Sequence, residues 1–189
     1  MTDRQTRLDE RRAAILAAAR TSADSSGWSA VTTRRLAEAI GYSQPVLYGH
    51  FPGGKAEIMR TVALDGFADL RQRCQAAIET AIETAGAEAG PDSRGVVEAL
   101  AHAYLDFADA HPAVYEAMFA EPIGARFAEA DNEPELRDAF TVLADVIGED
   151  TATEVFWGAL HGMSLLERAG RMKTADRARR VTDLSARFA

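Results

Sequence analysis

Ten residues between Thr32 and Lys55 have the types and spacing to bind a DNA duplex. Gln44 carries a primary amide, which can pair with N6 and N7 of an adenine edge in the major groove. Pro45 and Val46 beside it offer apolar contact to thymine methyl groups. Hydroxyls, a phenol, an imidazole and an ammonium surround them and can hold phosphates, which fixes register more than sequence. The predicted set is Thr32, Thr33, Ser43, Gln44, Pro45, Val46, Tyr48, Gly49, His50 and Lys55.

Two short helices joined by a tight turn must present these residues. Thr32 is a good N-cap for the first helix, which Gly41 ends because glycine tolerates the left-handed conformation of a sharp exit. Ser43 can cap the second helix, with a proline in its first turn. A small residue at the crossing (Ala37), the turn glycine and an apolar anchor (Leu47) have the spacing of a helix-turn-helix. The alternative is an ordinary packed corner between two helices.

The flanking residues favour the helix-turn-helix. The run Leu-Ala-Glu-Ala-Ile-Gly-Tyr-Ser-x-Pro-x-Leu-Tyr-x-His-Phe, followed by Lys55, resembles the tetracycline-repressor (TetR) family of bacterial transcription regulators. The resemblance covers roughly residues 10–60. Two departures are visible: Pro52-Gly53-Gly54 makes the spacing from Phe51 to Lys55 one residue longer than the commoner one, which bears on the phosphate contact of Lys55. Gly49 stands where the family more often has a larger side chain.

Charge is divided unevenly along the 189 residues, whose net charge is −8. Residues 1–60 hold nine Lys and Arg against six Asp and Glu, a balance of +3, and the remainder carries −11. The positive charge therefore lies with the predicted helix-turn-helix, as attraction to phosphate requires. Apolar periodicity predicts nine helices and no strand, an all-α fold. We expect a DNA-binding domain at residues 1–54 and a helical ligand-binding and dimerisation domain at 55–189.

The C-terminal half contains a second, shorter resemblance. The run from Phe156 to Met163 is similar to the Trp-x-x-x-His-Gly element of one TetR subgroup. In it Gly158 and Gly162 remove side-chain bulk from one helix face, which allows another helix to approach closely. We expect the last two helices to pack against their copies in a homodimer. The alternative is that the glycines relieve crowding within the chain.

The resemblance implies a repressor that binds a pseudo-palindromic operator and is released by an unknown small molecule. Aromatic and polar-tipped residues are concentrated in the C-terminal half and could line the effector pocket, although helix cores also contain such residues. The other hypothesis is a helical ligand-binding or scaffold protein whose helix-turn-helix no longer reads DNA. The predicted ligand contacts are Tyr104, Phe107, Tyr115, Met118, Phe119, Trp157 and His161.

Other chemistry finds little support in the sequence. The four histidines show no metal-binding spacing, so neither a metal site nor a cofactor is predicted. No nucleophile elbow, P-loop or dinucleotide fingerprint occurs, which argues against an enzyme. The single cysteine, Cys74, excludes an internal disulfide and suits a reducing compartment. A polar N-terminus and the lack of a long apolar run predict a cytoplasmic protein without a membrane span.

Overall fold

The computed structural model describes residues 3–85, 93–120 and 133–189. Every regular element in these ranges is helical, which confirms the predicted all-α class. Short 3₁₀ turns precede two of the nine helices, at Trp28–Ala30 and Thr174–Asp176. The composition of residues 86–93 and 121–133 predicts irregular stretches, and all but positions 93 and 133 of them lie outside the described residues. The helices are α1 (Asp3–Ser26), α2 (Thr33–Ala39), α3 (Gln44–His50), α4 (Gly54–Ala85), α5 (Arg94–Ala110), α6 (Pro112–Ala120), α7 (Pro134–Ile147), α8 (Asp150–Arg168) and α9 (Arg177–Ser185).

The described residues form two compact units. The first contains residues 3–66 and 112–120, and so includes α1, α2, α3, the start of α4 and α6. The second contains residues 67–85, 93–111 and 133–189. The functional boundary after residue 54 stays a prediction. None of the helices in the described ranges has both the length and the hydropathy that crossing a membrane requires.

The core of the first unit follows the apolar periodicity of its helices. Leu36 and Ala37 of α2, Leu47 of α3 and Ile15 of α1 are buried. Trp28 follows Gly27 just after α1, where a tryptophan is expected to pack in this core, and it has only 4% of its surface exposed. Burial of such side chains stabilises the unit by about 1.5–3 kcal/mol each relative to leaving them exposed. The remaining large core side chains of the unit are Phe51, Ile58, Met59 and Val62.

Helix α6 is held in the first unit through both backbone polar groups of one residue, Ala113. Its backbone N–H donates to Oδ1 of Asp24 over 3.1 Å, and its carbonyl accepts from Nε1 of Trp28 over 2.7 Å. One helix turn further, α6 lies directly against Gly66 of α4. A Cβ at Gly66 would be 2.6 Å from Cγ1 of Val114 and 2.8 Å from Sδ of Met118. The closeness of the two helices therefore depends on the glycine.

The second unit is a helical bundle in which α5 contacts α7, α8 and α9. Leu100, Tyr104 and Phe156 are fully buried in it. The described C-terminal part of α4 contributes Phe67, Leu70 and Cys74, as its apolar stripe predicted. Burial raises the pKa of the Cys74 thiol to about 12, so the thiol stays protonated at neutral pH.

An ion-pair network fixes α9 to α8 within the second unit. Glu167, whose side chain is 4% exposed, accepts from Nη2 of Arg177 at 2.6 Å and from Nη2 of Arg180 at 2.5 Å. Arg177 also contacts Asp106 and Asp109 on α5. Burial alone would raise the pKa of Glu167, but hydrogen bonds and charges from the two arginines outweigh it and hold that pKa below its ordinary value.

Glu167→Gln is expected to lower the free energy of unfolding by about 2 kcal/mol at pH 7, because two half-buried guanidinium groups lose their shared carboxylate. A depressed carboxyl pKa stabilises the fold above the unfolded-state value of 4.5, and this contribution is lost as pH falls through the folded-state pKa. Urea titrations should therefore show the difference in unfolding free energy between variant and wild type narrowing as the pH falls below 4.5. Glu98→Gln, which breaks an exposed i,i+4 pair with Arg94, is the matched control and should cost about 0.3–0.5 kcal/mol.

Candidate nucleic-acid interface

Helix α3 is anchored by one face and offers the other to solvent. Thr32 caps α2 by accepting from the N–H of Arg35, and Gly41 then reverses the chain with φ of 70°. Ser43 stands at the N-cap of α3 but its side chain makes no capping bond there. Leu47 is fully buried beneath the helix. Gln44, Pro45 and Gly49 are consequently exposed, and Val46 is half-buried between the two faces.

Three of the predicted DNA-binding side chains meet at the start of α2 and α3. Nε2 of Gln44 donates to Oγ1 of Thr33 over 3.4 Å, and the same oxygen lies 3.4 Å from the hydroxyl of Tyr48. Both contacts are at the long limit of a hydrogen bond, so they cost little to exchange for a ligand. Tyr48 is 46% exposed although it is a large aromatic residue. The cluster places an amide and two hydroxyls together on an open surface.

The ring of Tyr48 lies over the first residue of α4. A Cβ at Gly54 would be 3.3 Å from Cε1 of Tyr48 and 3.6 Å from Cγ2 of Thr33, and Gly54 has φ of +61°. The backbone conformation therefore favours glycine there, and the ring leaves little space for a larger residue. Glu57 accepts from the N–H of Gly53 over 2.7 Å and so caps this turn.

The other predicted contacts have different surroundings. His50 is half-buried in the last turn of α3. Lys55 is also half-buried, and its Nζ donates to the backbone carbonyl of Trp28. The structure thus joins Thr33, Gln44 and Tyr48 in one cluster. The ammonium of Lys55 is outside this cluster and bonds to the backbone of the core residue Trp28.

Two arginines of α1 contact aromatic rings of the first unit. The guanidinium of Arg11 lies 5.5 Å from the ring centre of Tyr42, and that of Arg12 lies 4.8 Å from the ring centre of Phe51. Such cation–π contacts contribute about 0.5–1 kcal/mol each at exposed sites. They tie α1 to the helix-turn-helix and keep positive charge beside α3.

The predicted ligand contacts fall into both units. In the second unit Nε1 of Trp157 donates to the hydroxyl of Tyr104 over 2.7 Å, with both side chains buried. Phe107 is buried 5.2 Å from the ring of His111, and His161 is half-buried. Three residues belong to α6 in the first unit: Tyr115, Met118 and Phe119.

Sequence reasoning missed Gly54 and Asp24 as residues that position this surface. For Gly54 a signal existed, because two consecutive glycines before a long helix indicate an unusual backbone turn. Asp24 gave no such signal. It is an ordinary polar residue in the last turn of α1, and its partner, the N–H of Ala113, is 89 positions away.

Two family models match the chain, one in each half. Residues 15–62 match the family model described as bacterial regulatory proteins, tetR family. Residues 97–188 match the model described as tetracyclin repressor-like, C-terminal domain. The chain is 31% identical over 188 residues to the uncharacterized HTH-type transcriptional regulator Rv0681 of Mycobacterium tuberculosis, an alignment that covers 94% of this chain and 79% of that protein.

Solved structures share the fold. A protein with unknown function from Rhodococcus sp. RHA1 superposes with a TM-score of 0.74 at 23% identity, covering 94% of this chain and 92% of that one. A bacterial regulatory protein in the tetR family, from Rhodococcus RHA1, gives a TM-score of 0.63 at 20% identity, with 94% and 95% of the two chains covered.

Proposed function

The chain belongs to the TetR family and is a DNA-binding transcriptional regulator, and from this premise we propose that it is a dimeric repressor released by a small molecule. Helix α3 enters the major groove, and two copies read the half-sites of a pseudo-palindrome. The single observation that carries the proposal is the exposed cluster of Thr33, Gln44 and Tyr48. Such a repressor acts where bacterial DNA lies, in the cytoplasm.

Each residue of the cluster has a proposed part in binding. Gln44 reads a base edge, and Pro45 and Val46 contact thymine methyl groups. Thr33 and Tyr48 hold a phosphate, because hydroxyls donate to phosphate oxygens without reading sequence. The same phosphate-holding part is proposed for Thr32, Ser43 and His50, with Gly49 leaving room for the DNA backbone.

Gln44→Ala is expected to change the preferred base at one position of each half-site, with a loss of about 1–3 kcal/mol of discrimination. Tyr48→Phe should instead weaken binding to all sequences by about 1 kcal/mol, because it removes only a hydroxyl. Fluorescence anisotropy with the intergenic DNA beside the gene, and with single-base variants of it, measures both effects. Gln72→Ala, on the exposed surface of α4, is the matched control. Unchanged affinity and preference for Gln44→Ala would refute the base-reading assignment.

The exposed face of α8 supports the dimer. Val155, Leu165 and Leu166 are 59%, 46% and 41% exposed, which is unusual for large apolar residues. On the same helix a Cβ at Gly158 or Gly162 would meet no atom within 4 Å in the part of the chain that the structure describes. Among those residues the two glycines therefore relieve no crowding, and the open apolar face suits close packing against α8 of a second copy. Dimerisation through the last two helices is our proposal for this face.

The effector contacts that we propose in the second unit are Tyr104, Phe107, Trp157 and His161. Burial, together with the charge of Arg168, lowers the pKa of His161, so its imidazole is neutral at pH 7 and can both donate and accept a hydrogen bond. Tyr115, Met118 and Phe119 on α6 stay predicted contacts. A ligand that favours one arrangement of the heads shifts the population away from the DNA-binding state. A chemical screen in which no compound alters operator affinity would count against this role.

A further inference from the structure

Trp28 links two elements of the first unit through its two polar groups. Its indole Nε1 donates to the carbonyl of Ala113 in the first turn of α6, and its own carbonyl accepts from Nζ of Lys55 in the first turn of α4. The tryptophan is 4% exposed, so both bonds involve groups of a buried residue. Its carbonyl also accepts from the N–H of Val31 over 3.2 Å, so loss of Lys55 would remove one of its two hydrogen bonds, whereas loss of the Ala113 carbonyl would leave the indole N–H unsatisfied.

The carbonyl of Trp28 stabilises the ammonium of Lys55 at the N-terminus of α4. The N-terminus of a helix carries partial positive charge, so an ammonium in the first turn of α4 is in an unfavourable field. The carbonyl of Trp28 offsets this by accepting from the ammonium at a half-buried position. Gly54, the residue before Lys55, lies under the ring of Tyr48. The position of Lys55 therefore sets the position of the surface against which Tyr48 rests.

We propose that Lys55 acts together with Trp28 to position the recognition surface, and that Lys55 does not itself contact a phosphate. Lys55 holds the carbonyl of Trp28, and the indole of Trp28 holds α6, so the start of α4 and the first turn of α6 are fixed in one unit beneath Tyr48. This role rests on the proposed DNA-binding function. It differs from the part predicted for Lys55 from sequence, which is to neutralise a phosphate.

The two roles have different consequences for salt dependence. A cation that neutralises a phosphate releases a counterion, so removing it reduces the slope of log K against log salt by about 0.9. A positioning residue lowers affinity without altering the slope. Arginine also separates the roles, because it keeps the charge but carries its donors on a longer side chain with a planar head, which does not reproduce the position of the ammonium at this carbonyl.

The experiment measures binding of wild type, Lys55→Met and Lys55→Arg to a mixed-sequence duplex and to the intergenic DNA beside the gene over a range of salt. We expect both variants to bind roughly tenfold more weakly with the wild-type slope. Arg60→Met, which removes one exposed charge from the same helix, is the control for net charge. A slope reduced by about 0.9 in Lys55→Met alone, with affinity retained in Lys55→Arg, would overturn the proposal.

A second measurement needs no DNA. The indole N–H resonance of Trp28, assigned by its loss in Trp28→Phe, reports the bond to Ala113. Lys55→Met should shift this resonance and speed its exchange with solvent, whereas an unchanged resonance would contradict the pairing. If wild type binds no duplex, the proposed function fails. The indole resonance still shows whether Lys55 and Trp28 are coupled.

Discussion

Gly162→Leu is expected to yield a folded monomer that binds its operator about 10²–10⁴-fold more weakly than wild type. We expect the fold to tolerate the change, because a Cβ at Gly162 would meet no atom of the described residues within 4 Å. The new side chain instead occupies the space that α8 of a second copy needs. A monomer loses the effective concentration that two linked recognition helices provide, which accounts for the fall in affinity.

Light scattering and anisotropy on the same samples test this result. Gly95→Leu is the matched control, because Gly95 on α5 also has open space at its Cβ and lies outside the α8 face. It should leave both the dimer and the DNA affinity unchanged. Gly162→Ala should weaken the dimer only slightly, since one methyl group separates the helices less. A stable dimer in Gly162→Leu with circular dichroism like that of wild type would contradict the proposed interface.

Gly66→Ala is expected to destabilise the first unit by about 1–3 kcal/mol, because the new methyl group overpacks a closed contact. Its position would be 2.6 Å from Cγ1 of Val114, and a β-branched side chain on a helix has one strongly preferred rotamer and cannot move aside. Met118 is more adaptable, since its thioether can rotate. Thermal and urea unfolding of the variant give the magnitude.

A double-mutant cycle shows whether that contact is the cause. Val114→Ala removes the methyl group that the new Cβ would meet, so its cost should be smaller in the Gly66→Ala background than in wild type by at least about 0.5 kcal/mol. Gly95→Ala again serves as the control. Its Cβ has open space, so this variant should be as stable as wild type or up to about 1 kcal/mol more stable. Additive effects at positions 66 and 114 would show that α4 and α6 adjust without strain.

Local features of the fold could be read from the sequence because they depend on neighbouring residues. The N-cap at Thr32 and the positive φ at Gly41 follow from side-chain and backbone chemistry within a few positions. The burial of Leu47 and the exposure of Gln44 follow from helical periodicity once α3 is assigned. Residue type and its place after Gly27 assigned Trp28 to the core of the first unit.

Contacts between distant positions could not be read in this way. Burial of Trp28 was predictable, but its acceptor is a backbone carbonyl 85 positions away, and every residue offers such a carbonyl. The contact between the ammonium of Lys55 and the carbonyl of Trp28 was equally hidden, because residue type does not show which group a side chain faces. Gly66 lies within a helical pattern and gave no sign that another helix lies against it. Periodicity identifies which face is buried, and does not identify what covers it.

The two hydrogen bonds to the backbone of Ala113 limit how hybrid regulators can be built by exchanging domains. A fragment cut after Gly66 would leave the indole of Trp28 and the carboxylate of Asp24 without the peptide that satisfies them, and would uncover the contact surface at Gly66. The smallest transferable DNA-reading module is therefore discontinuous in sequence. A working chimaera has to include α6 together with residues 3–66. Otherwise Asp24, Trp28 and Gly66 have to be replaced by residues that suit the new junction.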